Sequence, residues 1–206
     1  VTLTDDELRT LPRTIRTRAD LRAFVLADQM AHGVAAWRFD SRWRHPVVHY
    51  QRLLRQVEFL RAQKGAAARV ARFVARFRLQ RAGLRTGISI GPGVFGPGLS
   101  IAHYGTLVVN SRARVGAFCR IHPTVTIGIA QGGVPTIGDF VYIGPGAVIY
   151  GAVTIGDGAV VGANSVVNRD VAAGVTVAGA PARVVATRDS ASLMPAAFAR
   201  VESAKR

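Results

Sequence analysis

Lysine is almost missing from this chain: of 27 basic residues only Lys64 and Lys205 are lysines, and with 12 acidic residues the formal charge is +15. Cysteine is down to one, Cys119, which excludes an internal disulfide and fits a reducing compartment. Although 49% of the residues are apolar, no apolar run approaches the roughly eighteen residues a membrane span needs. No secretory pattern opens the chain, so a cytoplasmic location is the expectation. The 206 residues suit one or two globular domains. Arginine suits bidentate phosphate binding, yet no recognition motif or interleaved aromatic platform accompanies the charge, so no nucleic-acid partner is expected. A phosphorylated cofactor, an anionic acceptor and membrane-surface association remain as readings of the charge, beside a merely solvated basic surface.

An internal repeat is what the chain does have. Aliphatic or aromatic residues recur every six positions at Phe95, Ile101, Leu107, then Val115, Ile121, Ile127, then Ile137, Ile143, Ile149, Ile155, Val161 and Val167. Small residues take the fifth place of a hexad at Val125, Ala147, Val153, Ala159 and Ser165, and Cys119 falls there too. A hexapeptide period is the mark of a β-solenoid. Three hexads make one triangular coil, its first and fifth positions pointing inward, and coils stack about 4.8 Å apart. Glycines at 91, 96, 116, 128, 138, 144, 156 and 162 are expected where corners need unusual backbone angles or close approach. The spacing lengthens between Leu107 and Val115 and again between Ile127 and Ile137. Grouping in threes gives four coils, starting near Phe95, Val115, Ile137 and Ile155. Both insertions then fall between coils, and residues 129–136 leave the prism as a loop.

The expected division is a helical N-terminal domain (1–86) serving as cap or assembly module, the β-helix (87–186), and a tail (187–206) open to a short, basic, loosely held helix. Thr4 before Asp5, Asp6 and Glu7 reads as an N-cap. Helical spacing follows around Leu21 to Met30, at Tyr50, Leu53, Leu54, Val57 and Leu60, and at Val70, Phe73, Val74 and Phe77 among arginines.

On a prism, functional residues are those that do not point inward. Counting in sixes puts His103 and His122 on or beside one face, a coil apart, above a track of small residues that includes Gly144, Pro145, Gly162 and Ala163. Such a track admits a narrow ligand arm ending at the imidazoles. Zinc wants three or four ligands, and only these two histidines lie in the repeat, so no metal is expected.

The hexads, Gly-Pro-Gly-Leu-Ser-Ile-Ala-His103-Tyr-Gly-Thr, Ile-His122-Pro-Thr-Val-Thr-Ile-Gly, the loop before Pro135 and Val177-Ala-Gly-Ala-Pro-Ala-Arg183 together resemble the serine acetyltransferase branch of the hexapeptide-repeat acyltransferases. The resemblance implies a mainly β fold, a left-handed parallel β-helix with an α-helical N-terminal domain, assembled as a homotrimer or dimer of trimers with active sites between neighbouring prisms. It implies acetyl-CoA as donor and His103 as general base, taking the acceptor proton and returning it to the CoA thiolate; imidazole suits both steps near neutrality. It also implies a CoA groove at Gly128, Ala130, Gly144, Pro145, Gly162, Ala163 and Ala180, with Arg183 toward a CoA phosphate. His122, His45 and Tyr104 are candidates for contacting the acceptor or assisting the base; His122 is read equally as capping a turn.

Departures from the family pattern shape the acceptor. The carboxylate paired with the base would fall near Ile88 or Ser89, Ala102 precedes the histidine in place of Asp, Gly133-Val134-Pro135 replaces Arg-His-Pro, and Arg44-His45-Pro46 replaces Arg-Asp-Pro. Zwitterionic serine needs charged partners for its two ends. The leading expectation is therefore O-acetyl transfer to a sugar, glycan or other small metabolite, as in similar proteins of capsule and exopolysaccharide biosynthesis. The alternative is serine O-acetyltransfer, and a non-catalytic scaffold is a third reading. The tail, ending Ser203-Ala-Lys-Arg206, gives no expectation of a sulfhydrylase complex.

Overall fold

A computed structural model describes residues 3–205. Residues 1, 2 and 206, the outer ends of the expected helical domain and tail, lie outside the described residues. Five helices come first: α1 (Asp5–Arg9), α2 (Arg18–Ala31), α3 (Ser41–Arg44), α4 (Pro46–Ala62) and α5 (Ala66–Thr86). Thr4 and Glu7 form a capping box on α1, Thr17 and Asp20 another on α2, and Pro46 opens α4 where its missing N–H costs nothing.

The solenoid then winds through five coils. The first has β1 (Ile88–Ile90), a bridge at Phe95 and β2 (Ser100–Ile101); the second has β3 (Leu107–Val109), β4 (Arg114–Val115) and β5 (Arg120–Ile121). The third has β6 (Thr126–Gly128), β7 (Thr136–Ile137) and β8 (Tyr142–Ile143), and the fourth β9 (Val148–Tyr150), β10 (Thr154–Ile155) and β11 (Val160–Val161). The last has β12 (Val166–Val167), a bridge at Val171 and β13 (Thr176–Ala178). All pair in parallel on three faces, until β14 (Arg183–Ala186) closes one face antiparallel to β13. The tail forms α6 (Ala197–Lys205).

Five coils replace the expected four. The extra one escapes a count in sixes because Ile90 precedes Phe95 by five positions and Val171 follows Val167 by four. The inward positions are buried as the period requires, including Val125, Ala147, Ala159, Ser165 and Cys119. Burial pushes the Cys119 thiol up to about 12, which makes it inert packing.

Of the two reasons expected for the eight glycines, close approach is the one that applies: none has a positive φ, and a Cβ on Gly116 or Gly144 would sit within 3 Å of backbone in the next coil. Left-handed backbone recurs at two other corner positions, Gly98, Phe118, Phe140, Gly158 and Gly174 at one and Thr124, Gly146 and Asn164 at the other. Phe118 and Phe140 therefore stack, at 5.3 Å, and Phe198 of α6 meets Phe118 edge-on at 5.2 Å. With Phe198 and Val201 buried against Leu3, Leu8 and Ala27, α6 is firmly docked and not loosely held.

The helices cover the open end of the prism. The first coil has no coil above it, so its outward backbone groups need partners from elsewhere. α4 supplies most of them. Tyr50 Oη accepts from the Ile90 N–H (3.0 Å), Gln51 Nε2 donates to the Leu99 carbonyl (2.6 Å), and Arg55 donates to the carbonyls of Phe95 (2.9 Å) and Gly96 (2.8 Å). Glu58 accepts from the Gly93 N–H, Arg61 donates to the Pro92 carbonyl, and Asp28 of α2 accepts from the Leu99 N–H. Arg55 is fully buried and pairs with Asp28 (2.8 Å) and Glu58 (3.0 Å). α5 packs beside α4 through Ala75 and Leu79, not through the stripe of Val70, Phe73, Val74 and Phe77, which faces outward.

Candidate active site

His103 stands at the corner between the face of β2 and the face of β3. In the coils below, the same corner takes four steps from one inward residue to the next: Ile121 to Val125, Ile143 to Ala147, Val161 to Ser165. From Ile101 to Leu107 it takes six. Strand register confirms the shift, since Val109, not Leu107, lies opposite Ile127. The two-residue insertion expected between Leu107 and Val115 thus sits at residues 102–106, around His103. The longer corner pushes His103 and Tyr104 into solvent, while its base stays fixed by Ala102 N–H to the Ile121 carbonyl and Gly105 N–H to the Thr86 carbonyl at the end of α5. Gly87, with φ +74°, ends α5 where any Cβ would strike Gly105.

One coil below, His122 is half-buried, its ring tilted against Tyr142 at 5.1 Å and its Nε2 shielded without a hydrogen-bond partner. Its pKa is lowered by burial, then by Arg120 and His103. Arg120 donates to Ser100 Oγ at 3.2 Å on the outward side of the same face. The ends of α2 and α4 come down beside it. His32, at the end of α2, is pushed down to about 4 by burial, with Gln51 pulling the other way and Arg120 and His45 adding to the depression. The shared electrostatic partners chain His45, His32, Arg120, His122 and His103 into one cluster. Among the described residues no three of His, Cys, Asp and Glu are set to hold a metal ion.

The depressed pKa of His32 has a consequence for folding. Between about pH 4 and 6.5 the unfolded chain binds a proton that the folded chain refuses, so stability is expected to be full above 6.5 and to fall as pH drops toward 4, by up to about 3 kcal/mol. Urea unfolding across that range measures the slope, and His32→Gln should remove most of it, leaving the same-signed contributions of His122 and His49.

The expected CoA residues do not converge within one chain. Gly144, Pro145, Gly162 and Ala163 lie below His103 on its own corner, continuing toward Ala180 and, at the start of β14, exposed Arg183. Gly128 and Ala130 lie at the other end of the adjacent face, where the expected loop ends at residue 135, before β7, and is pinned by a tight turn with mutual Ala130 and Gly133 hydrogen bonds (3.1 and 2.9 Å). Gly144 owes its small size to coil stacking. Two concavities, about 750 and 650 Å³, run from the helical cap onto the early coils, and neither includes His103. The imidazole stands on an open surface.

Sequence reasoning missed Arg120, Tyr142, His32 and Gln51. The first two carried a signal, since each directly precedes an inward isoleucine and so must point outward. The other two are positioned only by the docking of α2 and α4.

A model of the bacterial transferase hexapeptide (six repeats) matches residues 135–169. The serine acetyltransferase of Synechococcus elongatus is 41% identical over 107 residues, which are 50% of this chain and 44% of that protein. That of Helicobacter pylori strain J99 is 38% identical over 122 residues, 57% of this chain and 71% of that protein. The chain thus spans less than half of the first relative and most of the second. Among solved structures, serine acetyltransferase from Brucella abortus strain S19 superposes with a TM-score of 0.64 at 28% identity, covering 82% of this chain and 68% of that one. The same enzyme in complex with coenzyme A gives 0.67 at 26% identity, over 83% and 70%. Repeat, helical cap and these relatives agree: the chain belongs to the hexapeptide-repeat acyltransferases, in their serine acetyltransferase-like branch.

Proposed function

We propose that the chain is an acetyl-CoA-dependent O-acetyltransferase with His103 as general base. The observation that carries this is the lengthened corner: it lifts one imidazole clear of the prism wall, in a fold whose Brucella relative was solved with coenzyme A. His103 takes the proton of an acceptor hydroxyl as its oxygen attacks the thioester carbonyl. The tetrahedral adduct then collapses with loss of the C–S bond, and the same proton passes to the departing CoA thiolate. Tyr104, 68% exposed, stands next to the imidazole on the acceptor side. The two separate edges bearing the CoA-lining candidates support a homotrimer, in which Gly128 and Ala130 of one copy face Gly144, Pro145, Gly162 and Ala163 of the next, with Ala180 and Arg183 at the far end of the groove.

The names of the relatives support L-serine as acceptor over the glycan expected above. One observation favours a second reading, a hydroxylated anion in place of a zwitterion. Of the groups acting on His122 and His32, Arg120 carries a fixed charge, the others are the imidazoles of His103 and His45, and no carboxylate is among them. A serine ammonium has no anionic partner there, whereas a carboxylate or phosphate has the Arg120 guanidinium. Thiol release from acetyl-CoA, measured with L-serine and with hydroxy acids and uronic sugars, separates the readings. Turnover with L-serine supports the first and turnover with the anions alone supports the second. No turnover with any acceptor, together with no heat of CoA binding in calorimetry, would leave a scaffold and overturn both.

A further inference from the structure

The outward side of α5 has no role in the prism or the site. At about 100° per residue, Val70, Phe73, Val74, Phe77 and Leu84 fall within one stripe roughly 100° wide, opposite the Ala75 and Leu79 side that packs inward. All five are well exposed, Phe73 at 75% and Leu84 at 80%. Arg69 and Arg76 flank the stripe on one side, Arg78 and Arg85 on the other, and Arg81 lies in it with its guanidinium 5.8 Å from the Phe77 ring. The helix contains no acidic residue. The surface continues onto α3. Trp43, 62% exposed, shares a shallow concavity with Arg78, Arg81 and Arg85, and Arg42 stacks on both Trp43 (3.8 Å) and exposed Phe39 (4.5 Å).

We infer that this face docks the protein on an anionic phospholipid surface. An apolar stripe bordered by arginines, with aromatic rings at its margin, is how a helix lies in the headgroup region. Among the described residues no helix is long and apolar enough to cross a membrane, so α5 would lie flat on it. A second copy paired symmetrically through this face would set at least five arginines of α5 against five with no carboxylate from α5 between them, and Asp40 at the start of α3 is already paired with Arg44. Nucleic acid would engage the arginines but leave Val70, Val74 and Leu84 in water. A lipid surface takes both the charge and the aliphatic surface.

The test is sedimentation of the full chain with phosphatidylcholine vesicles, with and without phosphatidylglycerol. Binding is expected only with phosphatidylglycerol, weakening as salt rises, and Phe73→Ser/Phe77→Ser is expected to reduce the bound fraction about tenfold. Both rings are exposed, so helicity and thiol release should stay as in the parent chain. No binding to anionic vesicles would overturn the inference. So would binding that survives the double replacement, since charge alone would explain it. It would also fail if the parent chain ran as a larger assembly than the double variant in size exclusion, which would assign the face to a second copy. Tighter binding to single-stranded DNA than to the vesicles would overturn it too.

Discussion

His103→Ala is expected to slow acetyl transfer by about two to four orders of magnitude while leaving the KM for acetyl-CoA within a few-fold. Both halves follow from the geometry. The imidazole is raised on the lengthened corner next to the Tyr104 phenol, and the histidine one coil below, His122, has a shielded Nε2 and a lowered pKa, which leaves it poorly placed to take over the proton. The candidate CoA groove runs away from His103 along other coils, so donor binding should survive. Thiol release against acetyl-CoA concentration gives kcat and KM separately. His122→Ala is expected to cost less in kcat and more in acceptor KM, because that ring lines the corner without reaching its edge. Activity of His103→Ala within threefold of the parent would refute the assignment of the base.

Most of the fold was legible because burial repeats with the chain: Ile121, Ile143 and Val161 stack on one face, each a coil from the next, and no other period explains them. The ruler failed where inward residues come in pairs. Leu107 and Val109 are both buried and both aliphatic, so spacing alone does not say which one lies opposite Ile127. Hydrogen-bond register decides it, and that moved the insertion onto His103. α5 fails differently. Its period is helical, but it has two apolar sides, and the bulkier one faces out; the packed side is built of small residues such as Ala75, Ala82 and Gly83, and at Gly83 the Ile88 carbonyl of β1 leaves no room for a Cβ. His103 and His122 could be found by counting, since their outward placement is set by local strand geometry. The Arg120 and His32 environment depends on where α2 and α4 land, which no local pattern encodes.

That landing is governed by Arg55, and Arg55→Met is expected to destabilise the fold by about 3–5 kcal/mol. The guanidinium is wholly buried and holds four acceptors at once, the carboxylates of Asp28 and Glu58 and the carbonyls of Phe95 and Gly96. Burial pushes the Asp28 carboxyl up while Arg55 pulls it down, so removing the cation leaves a carboxylate in the interior with only the Leu99 N–H as partner. Exchanging such a pair for apolar side chains is often nearly neutral. Here it is not expected to be: the double replacement Asp28→Leu/Arg55→Met would also strand the Phe95 and Gly96 carbonyls and the Leu99 N–H at the uncovered first coil. Lysine in place of Arg55 keeps the charge but lacks the planar fork, and should recover only part of the loss. Urea unfolding gives the free energies, and a loss below about 1 kcal/mol for Arg55→Met would show that the cap is held by its apolar contacts alone. The same variant carries a functional signature. α2 and α4 bring His32, Gln51 and His45 to the side of Arg120, on the face that leads to His103, so loosening the clamp should raise acceptor KM well before it affects acetyl-CoA binding along the later coils.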